Sequence, residues 1–121
     1  MLVNDYEKLI VWQKSMELVV LIYRFTESFP RTEIYGLTSQ MRRAAISVPS
    51  NIAEGSRRRT AKDFCSFLVN ALGSASELET QLKISRMLNF GEENQRQNIE
   101  PLLVSIMKML NKLIESKTVR V

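Results

Sequence analysis

Apolar residues return every third or fourth position along four stretches of the chain, and no stretch shows the strict alternation of a half-buried strand. In the first stretch Leu9, Trp12, Met16, Val19 and Tyr23 form one helical stripe. Val11, Leu18, Ile22, Phe25 and Phe29 form a second, displaced by about 100° around the axis. The pattern predicts a helix from about Asp5 to Ser28, with Asn4 or Asp5 as N-cap and acids in its first turn. One bundle core uses one stripe, so the doubled arc leaves apolar surface for a subunit contact as well. Pro30 ends the helix, because the residue before a proline avoids the helical region.

The second helix is predicted from Glu33 or Tyr35 to about Ser56, opened by Thr32 as cap. Pro49 lies inside it, where proline deletes a hydrogen bond and costs about 3 kcal/mol. Met41, Ala44, Ala45, Val48 and Ile52 keep helical spacing through the proline, which favours a kink over a break. Gly55 supplies a stop.

The third helix is predicted to start at Thr60, which with Asp63 forms a capping-box-like pair, and to end at Asn89 to Gly91. Phe64, Leu68, Ala71, Ala75, Leu78, Leu82 and Ser85 make a heptad seam. Small residues line its middle: Ala71, Gly73, Ser74, Ala75 and Ser76. A glycine there costs nearly 1 kcal/mol relative to alanine, roughly, which implies a neighbouring backbone at close range.

The fourth helix is predicted from roughly Glu92 to Lys117 on Ile99, Leu103, Ile106, Leu110 and Leu113, widened by Leu102, Met109 and Ile114. Pro101 predicts a looser first part or a later start, and Ser116 to Val121 are expected to fray. Short links between long helices make neighbours antiparallel. The expectation is an all-α, up-down-up-down four-helix bundle, with residues 1–121 as a single domain.

Composition agrees with this reading. At 45% hydrophobic and 25% charged residues the chain is not of the disordered type, and four glycines with three prolines are too few for the tight turns of an all-β fold. The longest apolar run, Leu18 to Tyr23, is far short of the roughly 20 residues that cross a bilayer. Asn4, Asp5 and Glu7 stand where a secretory leader would be basic, and one cysteine, Cys65, suits a reducing compartment. A cytoplasmic protein without membrane contact is expected.

Histidine is absent. Histidine general bases, Ser–His and Cys–His pairs, most zinc chemistry and the Glu-x-x-His di-iron site of some bundles are thereby excluded. There is no glycine-rich phosphate loop or convincing carboxylate pair either, so the chain is expected to be no enzyme and to need no cofactor or metal.

Charge narrows the question further. The net charge is +4, yet Arg42, Arg43, Arg57, Arg58, Arg59 and Lys62 oppose only Glu54 between positions 42 and 62, so the rest of the chain is slightly acidic. Cations concentrated in this way suit a polyanion.

That same segment carries a signature. Phe29, Pro30, Glu33, Tyr35, Gly36 and Leu37 fit a turn pattern fP-x-x-E-x-y-G-L, after an opening apolar helix with a tryptophan over Leu9 to Lys14. Gln40, Arg42, Arg43, Ala44, Ser47, Pro49, Asn51, Ile52, Ala53, Glu54 and Gly55 fit Q-x-R-R-A-x-x-S-x-P-x-N-I-A-E-G. Gly73, Ser74, Glu77, Leu78, Glu79, Gln81 and Leu82 fit G-S-x-x-E-L-E-x-Q-L. With these motifs the chain resembles, over most of its length, the four-helix-bundle family whose genes were first noticed as intervening sequences within bacterial large-subunit ribosomal RNA genes. The resemblance implies a barrel-like homopentamer with no known catalytic activity. A related group, the accessory variability determinants of diversity-generating retroelements, binds nucleic acid and a reverse transcriptase through a similar pentamer. The chain looks like the intervening-sequence branch, so those roles are hints only.

Each candidate residue has a structural reading beside the functional one. Arg57, Arg58, Arg59 and Lys62 form either a solvated loop or a phosphate site at the start of a helix. Arg42 and Arg43 either join that site or form ion pairs with Glu77 or Glu79. Asn51 is expected to bond carbonyls left free by Pro49, and Glu54 to pair with Arg57 or Arg58. Cys65 is expected to be a packed thiol, and Trp12 a core residue. Two functions follow: sequence-independent binding of RNA or DNA, or an adaptor for a protein such as a reverse transcriptase.

Overall fold

The computed structural model describes residues 5–117, and every regular element among them is helical. Four α-helices follow in order: α1 over Ile10–Thr26, α2 over Leu37–Ser56, α3 over Ala61–Met87 and α4 over Glu93–Lys117. Each packs on its neighbours around a ring, α1 on α2, α2 on α3, α3 on α4 and α4 back on α1, while the diagonal pairs stay apart. The links are short, so successive helices run antiparallel. This is the expected up-down-up-down four-helix bundle.

Of the two stripes on α1, the second builds the core. Val11, Leu18, Ile22, Phe25 and Phe29 are buried, whereas Leu9, Trp12 and Val19 are half-buried and Met16 and Tyr23 are exposed. Trp12 therefore lies at the edge of the core, its ring edge-on to Tyr6 at 5.2 Å. Facing α1 are Met41, Ala45, Val48 and Ile52 of α2, Leu68, Ala71, Ala75, Leu78 and Leu82 of α3, and Ile99, Leu103, Ile106 and Leu110 of α4. The seams read from the sequence on α3 and α4 are buried here except at the basic end of the bundle, where Phe64 and Leu113 are half-buried.

Helix starts differ from expectation. A separate 3-10 turn occupies Asp5–Lys8, and the N-cap of α1 is Leu9, not Asp5; Asn4 lies outside the described residues. The turn is held by a bond from Gln13 Nε2 to the Glu7 carbonyl at 2.8 Å as well as by the Tyr6–Trp12 contact. A second 3-10 turn, Arg31–Glu33, precedes α2. Here Glu33 replaces Thr32 as cap: its Oε1 accepts from the Leu37 N–H at 3.0 Å across Gly36, where a Cβ would stand 2.8 Å from that oxygen. A carboxylate satisfies an orphan N–H and also faces the positive end of the helix.

Neither internal proline breaks its helix. α2 runs unbroken through Pro49, and α4 runs from Glu93 through Pro101, contrary to the looser or later start expected. The reason is the apolar face: Ile99 and Leu103 are buried on either side of Pro101, which itself is exposed. Burying two such side chains is worth about 3–6 kcal/mol, enough to offset the proline. Of the residues expected to fray, Ser116 and Lys117 belong to α4, and 118–121 lie outside the described residues.

α3 starts as predicted, with Thr60 Oγ1 accepting from the Asp63 N–H at 3.1 Å. It ends in a Schellman turn: Asn89 takes the left-handed conformation (φ 59°), its N–H bonds the Arg86 carbonyl and that of Phe90 bonds the Ser85 carbonyl. At Gly73 a Cβ meets nothing within 4 Å, so no neighbour within the same subunit approaches it. Within the subunit the close approach is at Gly55, where a Cβ would lie 2.6 Å from Phe67 Cβ. That contact brings the end of α2 onto the start of α3.

Candidate nucleic-acid interface

The six cations singled out from the sequence do not form one surface. Arg42 and Arg43 lie near the start of α2, and Arg57, Arg58, Arg59 and Lys62 at its far end and beyond. Thirteen helical residues, Ala44 to Ser56, separate the two groups, which at 1.5 Å per residue sets Arg43 and Arg57 about 21 Å apart.

Arg42 is committed to the fold. Its Nε donates to Thr26 Oγ1 at 2.9 Å, Nη2 donates to the Tyr23 carbonyl at 3.3 Å, and the guanidinium lies 4.5 Å from the Tyr23 ring centre. A cation is favourable at the C-terminus of α1, where carbonyls lack partners. Arg43 is exposed beside a groove lined by Gln40, Ser47, Ser74 and Glu77. Neither arginine forms an ion pair with Glu77 or Glu79 among the described residues, because α1, not α3, receives Arg42.

Asn51 also acts locally. Its Nδ2 donates to the Ser47 carbonyl at 2.8 Å and Ser47 Oγ at 3.0 Å, and Ser74 Oγ of α3 donates to the same hydroxyl at 2.8 Å. The carbonyl that Pro49 leaves without its usual donor is that of Ala45, so Asn51 does not serve the role expected of it. It ties α2 to α3 through Ser47. Cys65 is half-buried.

The other four cations share one end of the bundle. The closeness of Gly55 to Phe67 leaves only a short junction between α2 and α3, so Arg57, Arg58 and Arg59 all project there, with Lys62 in the first turn of α3. Arg58 pairs with Glu54 at 2.8 Å, as one of the two pairings anticipated, and its guanidinium lies 4.7 Å from the Phe67 ring centre. Arg57 lies 5.2 Å from the Tyr6 ring centre. Arg59 and Lys62 are exposed. Glu54 and Asp63 offset part of this charge.

Two participants were not legible in the sequence. Lys117 Nζ lies 5.2 Å from the ring centre of Phe64, bringing the end of α4 to the same pole. Tyr6, Ser50, Ala53, Glu54, Arg57 and Arg58 line a groove of about 550 Å³ beside it. Ser50, Ala53, Glu54 and Arg57 share one face of α2, but only the tertiary placement of the N-terminal turn adds Tyr6. Among the described residues no group of three or more acidic or cysteine side chains could hold a metal ion. No helix among them is long and apolar enough to cross a membrane.

The model of the 23S rRNA-intervening sequence protein family matches residues 7–112. The chain belongs to this family. A solved structure from Bacteroides thetaiotaomicron, described as a protein with unknown function from the S23 ribosomal protein family, is similar to it. The two are 27% identical and superpose with a TM-score of 0.78 over 88% of this chain and 99% of that one. No curated protein matches the chain. Within an intervening-sequence family protein the Q-x-R-R-A motif thus supplies both the Arg42 bond to α1 and the exposed Arg43, whereas the cationic pole lies just after the motif's glycine.

Proposed function

We propose that this protein binds nucleic acid without sequence preference through Arg57, Arg58, Arg59 and Lys62. The supporting observation is their convergence on one short junction beside the N-terminus of α3, two of them ordered by aromatic rings. An arginine already stacked on a ring loses less freedom on meeting a phosphate, and a helix N-terminus favours the same charge. Arg42 is left out because its donors serve α1. The test is fluorescence anisotropy with structured RNA and duplex DNA at two salt concentrations. Binding should weaken as salt rises, as phosphate contacts demand; no binding at low salt, or binding indifferent to salt, overturns the reading.

Self-association accompanies this reading. Ile10, Met16 and Val20 on the outer side of α1 stay exposed, and Gly73 opens onto free space on α3. A helix that tolerates an exposed glycine is suited to a close neighbour from a second copy, in a ring such as a homopentamer. Light scattering that gives the 14.0 kDa monomer at micromolar concentration refutes it. A protein adaptor is the second function, favoured by the opposite pole, where the links between helices leave Ile34, Tyr35, Met87 and Leu88 exposed, Tyr35 at 94%. Substituting Tyr35 and Met87 by serine then abolishes capture of a partner while leaving nucleic-acid binding intact.

A further inference from the structure

We infer that the polyanion is held by a belt of cations crossing this whole end of the bundle, with Lys8, Lys112 and Lys117 added to the α2–α3 junction. The inference rests on the nucleic-acid reading above and extends its footprint to residues far apart in the sequence. Antiparallel packing brings four segments to this end: the start of α1, the end of α2, the start of α3 and the end of α4. Each carries a cation there. Lys8 closes the 3-10 turn ahead of α1 and is exposed; that turn packs on α2, and its Tyr6 ring meets Arg57. Lys117 reaches Phe64, which brings the end of α4 to the turn of α3 that carries Lys62. Lys112 is exposed about 7.5 Å before Lys117 along α4. Neighbouring helix axes stand about 8–10 Å apart, so a belt over three sides of the bundle runs on the order of 25 Å.

The distribution of the remaining charge argues the same way. In the half of the bundle nearer Tyr35, arginine and lysine are matched one for one by glutamate. Several of those arginines are already engaged: Arg42 with α1, Arg86 with Glu93 and Glu100, and Arg96 with Glu93. Among the described residues the whole positive excess therefore lies in the half that carries the belt. Asp5, Glu7, Glu54, Asp63 and Glu115 stand near this end too, but the cations outnumber them, and Glu54 is paired with Arg58. Lys8 and Lys112 form no ion pair among the described residues, so the fold does not consume their charge. Charge separated along the bundle axis draws a polyanion to one end, not along the flanks of the helices.

The experiment measures anisotropy of a labelled DNA duplex over a range of salt concentrations with single variants of the full chain. Lys8→Gln, Lys112→Gln and Lys117→Gln should each weaken binding about three- to tenfold at about 0.1 M salt, and each should lower the slope of log K against log salt by about 1. Lys117→Arg should bind as the wild type does, which separates its charge from its packing on Phe64. Arg31→Gln and Lys83→Gln, exposed at the opposite end, should change neither affinity nor slope. If the three lysine variants match these controls while Arg59→Ala still weakens binding, the belt is overturned and the junction reading stands. Equal losses in the lysine variants and the controls also overturn it, because the attraction would then be diffuse. A wild type that does not bind at low salt, or binds without regard to salt, overturns both.

Discussion

Arg96 is the sharpest test of how the bundle is held together, because it is a charge buried to 4% exposure at the α3–α4 turn. Its Nη1 donates to Glu93 at 2.7 Å, and Nη2 donates to the Phe90 carbonyl at 2.8 Å and to Ser85 Oγ at 3.2 Å. The guanidinium lies 5.2 Å from the Phe25 ring centre, and Nε is buried without a partner. Arg96→Met keeps the aliphatic bulk and removes these bonds. Glu93 is more than half exposed, so it returns to water at little cost. The Phe90 carbonyl and Ser85 hydroxyl lose a charged donor, worth about 1.5–3 kcal/mol for the stronger bond. Relief of the partnerless Nε offsets part of that, leaving a net loss of about 1–2 kcal/mol.

Arg96→Lys should be worse, at about 3 kcal/mol or more. It still buries a charge, but an ammonium does not reproduce the planar fork that serves three acceptors at once. The assay is urea denaturation at one fixed protein concentration, since association would shift the midpoint. A 1 kcal/mol loss corresponds to a drop of about 4 °C in Tm for a domain of this size. The order wild type, methionine, lysine is the expected result. A lysine variant as stable as the wild type refutes the argument, because it would mean that the fork geometry contributes nothing.

Three further predictions concern other junctions. Gly55→Ala should destabilise by about 1–3 kcal/mol despite its better helix propensity, as the new methyl would collide with Phe67, whereas Gly73→Ala should stabilise an isolated subunit by about 0.5–1 kcal/mol; thermal melts of the two separate the cases. Arg42→Ala should lower stability by about 1–2 kcal/mol and leave polyanion affinity unchanged, while Arg59→Ala should do the reverse, read by denaturation and by anisotropy. Thr60→Ala should cost about 1 kcal/mol through the lost bond to Asp63, and a melting curve identical to wild type would show that this cap is dispensable.

Helical periodicity alone carried the fold class, the four helices and the identity of the buried apolar positions on α3 and α4. The reason is that a 3-4 repeat can bury its apolar side in only one way, against other helices with the same repeat. The Thr60 cap and the Asn89 stop were equally local, since each depends on residues within a turn of itself. The sequence also concentrated the cations between Arg42 and Lys62 but not their roles, for neighbours along a helix separate by 1.5 Å per residue whatever their charge.

Partners distant in the chain required the packed bundle. Which stripe of α1 faces inward, why Arg42 reaches Thr26 and not Glu77, and why Tyr6 and Lys117 join the basic pole all follow from helices docking side by side. The prolines show the same division. Local propensity called for a loosened helix at Pro101, but burial of Ile99 and Leu103 outweighed one missing hydrogen bond. Spacing along the chain set which apolar residues of α3 and α4 would be inside. Docking of the helices set which charges were consumed by the fold and which were left facing outward.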